Sequence, residues 1–446
     1  MSLQDKRKFP EKGTPREKLK SEMSEAHSHD VSWKNGRSFG LVYHAGDDVD
    51  EVIREAVNLF SHGNALDPKA FYSLKKFENE VIAGTAALLN AESEAVGTMT
   101  SGGSESLLLA VKSARDEAKA LRPELTEPEI ILPESAHPAL HKAAHYLDVK
   151  AITIPLDRDY KARTDAVESA ITKNTIMLVG SAPAYPHGVV DPIPEMGQLA
   201  LKNNMKLHVD ACLGGFMLPF LEKLGEKIPP FDFRVEGVTS ISADLHKYGY
   251  ASKGASTIIY RDPELRRHQF FIYTDWPGGL FGSSTITGTR PGGPIAAAWA
   301  VLNYLGEEGY KRLAGEVIET TRILQQGIES TGKLKVAGSP VMSVFSVLSD
   351  EVDVYALADA MSVKGWQIGR QQLPRALHFI VTPVHTKVRE EFLADLKNAL
   401  REVEHLGPET CEWTAAMYAM MGTMCDQQDL YSFTMDFLDS TYRLTD

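Results

Sequence analysis

The stretch VTSISADLHKYGYASKGAS, residues 238–256, sets two lysines, Lys247 and Lys253, behind a histidine in a run of small residues. Val238 to Ala243 read as a buried strand, and Gly249, Gly254 and Ala255 leave room beside it for a bulky group. An amine at the exit of a buried strand is one way to make a reactive lysine, because desolvation favours its neutral form. Surface lysines sit among polar neighbours and need no such setting.

Outward from this stretch, short β-like runs alternate with helical ones. The other strand candidates are AVGTMTS (95–101), PEIILP (128–133), VKAITIP (149–155), TIMLVGS (175–181), KLHVDA (206–211) and STIIYR (256–261). Ser104 is placed to cap a helix whose Leu107, Leu108, Val111, Ala114, Ala118 and Leu121 recur at spacings of three and four. A second helix is expected around Ile193 to Asn203, after a proline-rich turn. The alternation predicts an α/β fold, a mainly parallel seven-stranded sheet covered by helices. After TRPGGPIAAAWAVLNYLGEEGY (289–310) the texture changes. A long helix around Tyr310 to Thr331 leads into VMSVFSVLS, a helix near Val354 to Lys364, ALHFIVTP and a helix from Val388. That pattern suits a smaller α+β domain.

The chain has 446 residues, 43% of them hydrophobic and 24% charged, enough for a large core divided between domains. A formal charge of -13 argues against nucleic acid and against a broadly basic membrane-binding face. An anionic ligand must therefore be held by local lysines, histidines and helix N-termini. The three cysteines, Cys212, Cys411 and Cys425, form no metal-type spacing and suggest a reducing compartment. No apolar run approaches the roughly 20 residues of a membrane span, and the N-terminus is too charged for a signal peptide. The expectation is a cytoplasmic protein with a mobile N-terminal arm and no stable membrane insertion.

Four constellations carry chemistry. In TMTSGGSES (98–106) a strand runs through two glycines into a helix, so backbone amides of Gly102, Gly103 and Ser104 and the helix dipole can hold a phosphate. A Gly-Gly turn of this kind also serves purely structural ends, and it is neither a Walker loop nor a dinucleotide fingerprint. In KLHVDACLGG (206–215) Asp210 closes a buried strand, where α/β ligand sites gather. A buried carboxylate needs a cationic or hydrogen-bonding partner; a protonated pyridine nitrogen is one, the cap of a following turn another. In PESAHPALHKAAH (133–145) His137 lies between strand and helix, where an imidazole can stack on a planar ring. His141 and His145 follow at helical spacing, but no acidic residue completes a zincin-type motif, and no metal is expected. The fourth constellation is the opening stretch. Together these are the parts needed for pyridoxal 5'-phosphate: a phosphate cradle, a ring stacker, an aspartate for the ring nitrogen and a lysine, Lys247, for the aldehyde carbon.

The motifs TSGGSES, SAPAYPHGVVDPIPE, LHVDACLGGF, FDFRVEGVTSISADLHKYGYASKG and TDWPGG…TGTRPGG, taken in order, resemble the sphingosine-1-phosphate lyase family from about Phe39 to the C-terminus. These lyases are similar to group II amino-acid decarboxylases within the aspartate-aminotransferase fold type, fold type I of the pyridoxal enzymes. The resemblance implies an N-terminal segment 1–60, a large cofactor-binding domain 61–310 and a small C-terminal domain 311–446. It implies a homodimer with shared active sites acting on a small phosphorylated amine. Lys247 would carry the cofactor as a Schiff base, Asp210 pair with its ring nitrogen and His137 stack on its ring. Gly103, Ser104, Ser181 and His246 would complete the cofactor site, with Gly288 and Thr289 arriving from the partner. Tyr43, Asn64, Asp67 and Lys253 would line the substrate-phosphate pocket, and Lys247, Tyr43 and Lys253 are the candidate proton carriers.

Two features depart from the family pattern. The membrane helix of eukaryotic members has no counterpart here, so the chain is similar to the soluble microbial type. In HGNALDPKAF (62–71) Asp67 stands where the family pattern, Asn-Pro-Leu-His-Pro, has a histidine that contacts substrate phosphate. A carboxylate facing a phosphate is repulsive unless it is turned away, protonated or paired with Lys253 or Arg54. The implied reaction is retro-aldol cleavage of a phosphorylated sphingoid base to a long-chain aldehyde and phosphoethanolamine. The competing reading is a decarboxylase of the same fold type.

Overall fold

The computed structural model describes residues 9–404 and 427–443; Cys411 and Cys425 lie outside them. The large sheet contains β1 (Val96–Thr100), β2 (Glu129–Pro133), β3 (Lys150–Ile154), β4 (Thr175–Ser181), β5 (Lys206–Asp210), β6 (Ser240–Ala243) and β7 (Ser256–Tyr260). Each falls within a run expected to be a strand. Their spatial order is β1-β7-β6-β5-β4-β2-β3, and β7 alone runs against its neighbours. A sheet of this kind is covered on both faces, and β2, β4, β6 and β7 are buried at every position.

The helix Gly103–Leu121 packs Leu107, Val111, Ala114 and Ala118 against Ile130, Leu132, Ile176 and Val179, while Leu121 at its end is exposed. Its cap differs from the expectation. Gly102 is the N-cap and no side chain caps the helix; Ser104 lies inside the first turn. The shift has a physical cause: Glu105 reaches back to accept from the Ser101 amide and hydroxyl, each at 2.7 Å. The sharp turn at Gly102 then leaves the first amides facing outward.

The long helix also begins earlier than expected, at Gly292 rather than near Tyr310, and runs to Glu329 through a non-helical Gly306. It therefore crosses residues 310–311 unbroken by a loop. Beyond it lie β10 (Lys335–Val336), β11 (Val344–Leu348), β12 (Gly369–Gln372) and β13 (Arg375–Ile380), an antiparallel sheet in the order β10-β11-β13-β12. The helices Val354–Val363 and Arg389–Val403 accompany it. Phe39 joins this lobe, its ring 4.9 Å from those of Phe379 and Phe392. A separate short hairpin, β8 (Phe271–Tyr273) with β9 (Phe281–Ser283), exposes Phe271, Ile272, Trp276 and Leu280. Among the described residues no helix is long and apolar enough to cross a membrane.

Bonds at Tyr248 and Gly188 are among those that hold the small sheet to the large one. The Tyr248 hydroxyl donates to the Val381 carbonyl at 2.9 Å and accepts from Ser343 at 2.6 Å. Gly188 meets the loop before β11, its carbonyl accepting from the Val341 amide at 3.0 Å. Gly188 has φ +68°, and a Cβ there would stand 1.8 Å from the Val344 carbonyl oxygen. Left-handed backbone alone costs a non-glycine residue about 1–2 kcal/mol, and the contact adds to it. Gly188→Ala should therefore lower the denaturant midpoint by more than that cost, read as unfolding free energy against the parent protein.

Candidate active site

The carboxyl ends of β4, β5 and β6 open on one cavity of about 370 Å³. Parallel pairing sets Ser181 beside Asp210 and Asp210 beside Ser242. Along β5 and β6 the odd positions, Leu207, Val209, Ile241 and Ala243, face the core. The even positions are polar and buried, and bond to one another. His208 meets the Ser240 hydroxyl at 2.9 Å and the Ser242 hydroxyl at 3.3 Å; burial pushes its pKa down to about 4. Ser242 donates to Asp210 Oδ1 at 3.4 Å, and that oxygen also accepts from the Cys212 amide at 3.1 Å. Asp210 Oδ1 is thus fixed from behind, and the carboxylate lines the cavity.

The cavity gathers eight of the candidate site residues named from the sequence: Gly102, Gly103, Ser104, His137, Ser181, Asp210, His246 and Lys247. His137 is held by the Ala139 amide, which donates to its Nδ1 at 3.1 Å. Lys247 points at a residue that the motifs left unassigned. Its Nζ lies 2.9 Å from Oδ2 of Asp244, a carboxylate only 1% exposed. Burial alone would lower the lysine's pKa; Asp244, then Cys212 and Asp210, more than offset it and raise the ammonium above its ordinary value. Cys212 and Tyr185 also line the cavity. Burial pushes the Cys212 thiol up, with Asp210 and Asp244 adding to it.

Tyr43 and Lys253 stand together outside that lining. The Lys253 ammonium is 5.3 Å from the Tyr43 ring centre and 3.4 Å from the His246 carbonyl, so the pair borders the cavity through His246. Desolvation and the Lys247 ammonium both lower the pKa of Lys253. Burial, reinforced by Asp244 and Tyr185, raises the Tyr43 phenol.

Asn64 and Asp67 lie elsewhere in the chain's own fold. Asn64 Oδ1 accepts from the amides of Leu66 at 3.0 Å and Arg290 at 3.3 Å, tying its loop to the start of the long helix. Asp67 is exposed, and its Oδ1 accepts from the amides of Lys69 and Ala70 at 2.9 and 3.0 Å. Those two bonds hold its carboxyl below the usual range. Arg54 keeps company with Glu51 instead, at 3.9 Å. Gly288 lines a second cavity, of about 390 Å³, with Ala65, Leu66, Pro68 and the β8–β9 hairpin; Thr289 beside it is exposed. His141 and His145 face solvent.

The first cavity fits a flat aldehyde bearing a phosphate. It has a helix N-terminus at one side, an anchored carboxylate at a strand end and a lysine between them. Bare backbone is required at Gly103, where a Cβ would come within 2.8 Å of Cys212 Sγ and 2.9 Å of Asp244 Oδ2. Residues that could hold pyridoxal phosphate are therefore present and adjacent.

Comparison with known proteins agrees with this fit. Residues 3–346 match the family described as the pyridoxal-dependent decarboxylase conserved domain. A sphingosine-1-phosphate lyase of Arabidopsis thaliana is 44% identical over 443 residues, which cover 97% of this chain and 81% of that protein. The solved structure of a sphingosine-1-phosphate lyase from Burkholderia pseudomallei K96243 superposes with a TM-score of 0.90 at 40% identity, covering 98% of this chain and 97% of that one. A glutamate decarboxylase from Lactobacillus brevis shares the fold, with a TM-score of 0.77 at 20% identity over 89% and 95% of the two chains.

Gly103→Ala tests the cradle. Gly103 has no left-handed backbone, so the variant should fold, but the added methyl crowds Cys212 and the carboxylate. Displacing one charge-assisted contact to phosphate costs on the order of 1.5–3 kcal/mol. The dissociation constant for pyridoxal phosphate, followed by absorbance titration of the apoprotein, should rise about ten- to a hundredfold.

Proposed function

The chain belongs to the pyridoxal-dependent decarboxylase family and, within it, to the sphingosine-1-phosphate lyases, and on that premise we propose that it cleaves phosphorylated sphingoid bases. The observation that carries the reading is the single cavity joining Lys247, Asp210, His137 and the Gly103 helix start. The products are a long-chain aldehyde and phosphoethanolamine.

When bound, pyridoxal phosphate supplies a conjugated ring that accepts the electron pair of the breaking bond. Lys247, whose amine lines the cavity, would hold the cofactor through its aldehyde carbon. Asp210, fixed by Ser242 and the Cys212 amide, would hold a positive charge at the ring nitrogen. His137 would cover a ring face, Gly103, Ser104 and His246 would receive the cofactor phosphate, and Ser181 would complete the cofactor site. The substrate loses the proton of its C3 hydroxyl, the C2–C3 bond breaks, C3 becomes the aldehyde carbon and C2 gains a proton. Lys247, Tyr43 and Lys253 are the groups placed to move those protons. Tyr43 and Lys253 also receive the substrate phosphate, and the paired ring and ammonium support that role. Asp67 is turned away, its oxygen engaged by two backbone amides.

The working unit in this reading is a homodimer. Gly288 and Thr289 lie outside the chain's own cofactor cavity, and the neighbouring hairpin presents exposed apolar side chains. Both facts suit a segment that completes the site of a second copy.

Product analysis with a phosphorylated sphingoid base tests the reaction: aldehyde and phosphoethanolamine are expected, and carbon dioxide from an amino acid in their place would overturn the reading. Lys253→Ala should raise KM for the phosphorylated substrate about ten- to a hundredfold, the loss of one charged contact. Mixing inactive Lys247→Ala subunits with inactive Gly288→Trp subunits should restore roughly a quarter of the parent activity, because each hybrid dimer keeps one intact site. No recovery after verified subunit exchange would remove the shared site.

A further inference from the structure

Lys247 has a dedicated counter-charge. Asp244 follows directly on the last residue of β6 and stands three residues before the lysine. Its Oδ2 is 2.9 Å from Lys247 Nζ and 3.5 Å from His246 Nε2. The Ala255 amide donates to His246 Nδ1 at 3.3 Å, so the neutral ring carries its own proton on Nε2, the nitrogen facing the carboxylate. No hydrogen bond of regular geometry reaches either oxygen of Asp244, although both are buried. A buried carboxylate without partners is costly. Here the lysine is the principal compensation.

We propose that Asp244 is a positioning residue for the reaction, the anion that receives the Lys247 amine whenever it is free of the cofactor and keeps it aimed into the cavity. The inference rests on the cavity being the cofactor site of the proposed lyase. In each turnover Lys247 must leave the cofactor and later return to it. A free lysine side chain has many rotamers and a strong appetite for water. With Asp244 at 2.9 Å, the released ammonium stays at the cavity wall. While Lys247 holds the cofactor, the same carboxylate faces its nitrogen and favours the protonated form.

The electrostatics agree with the geometry. Burial alone would raise the Asp244 carboxyl; the Lys247 ammonium first, then His246, overcome it and hold the group well below the carboxylate range. Other groups facing Lys247 are Asp210 and Cys212 beyond β5, His137 across the cavity, and Tyr248 and Lys253 from its own segment. Asp210 is committed to the ring nitrogen in this reading, which leaves Asp244 as the anion within contact distance.

The test uses holoenzyme and reads absorbance against pH. Asp244→Asn keeps the shape and removes the charge. An anion favours the protonated nitrogen, so its loss should move the midpoint of the cofactor's absorbance change to lower pH by about one unit or more. Asp244→Glu should restore part of that shift. In apoprotein, the pH at which Lys247 recaptures added pyridoxal phosphate at half its plateau rate should move the same way. Should the Asn variant not fold, the same midpoint is read on Asp244→Ser, whose smaller side chain adds no crowding. A parent-like midpoint and recapture profile in the folded uncharged variant would overturn the proposal, whatever happens to turnover. If the midpoint follows Asp244 but the parent protein forms no aldehyde, the positioning role stands and the lyase reading falls.

Discussion

A row of hydrogen bonds across three parallel strands carries the site. Ser181, Asp210 and Ser242 are neighbours by register, and His208, Ser240 and Ser242 tie the polar face of β5 and β6 together beneath them. Because side chains alternate along a strand, slipping β5 by one residue would send Asp210 into the apolar core and Val209 into the cavity. Leu207 and Val209 on one side and His208 and Asp210 on the other therefore select the same register. The buried side chains of His208, Ser240 and Ser242 are bonded from within the protein, as one oxygen of Asp210 is. The cavity has a rigid floor because its floor is also sheet.

The fold was largely legible in the amino-acid order. Runs such as TIMLVGS and STIIY are largely apolar without alternation, the mark of strands covered on both faces, and they proved buried throughout. Element ends were harder to read. The long helix was expected from about Tyr310, yet Gly292 and Gly293 already lie inside its first turn, packed at the Gly63 and Val57 backbones. Ser104 has the chemistry of a cap, but Gly102 takes the turn, with Glu105 reaching back to the Ser101 amide and hydroxyl.

The site was legible in part. Asp210 and Lys247 were singled out for their places at strand ends and Ser181 through the family resemblance, and the three line one cavity. Asp244 carried no such signal: an aspartate just past a strand looks like any turn residue until its burial and its lysine are seen together. Asn64, Gly288 and Thr289 stand apart from the first cavity within one chain, and no spacing along a sequence encodes which surface a second copy would supply.

Tyr248 gives the lysine's position a mechanical meaning. It is the residue directly after Lys247, and its hydroxyl is bonded twice to the small lobe, to Val381 and Ser343. Its ring also packs edge-on against Tyr43, with centres 4.9 Å apart. One peptide unit therefore separates Lys247 from an anchor on the small lobe. A hinge of the small lobe would therefore pull on the backbone that carries the amine, and on the Tyr43 ring packed beside it.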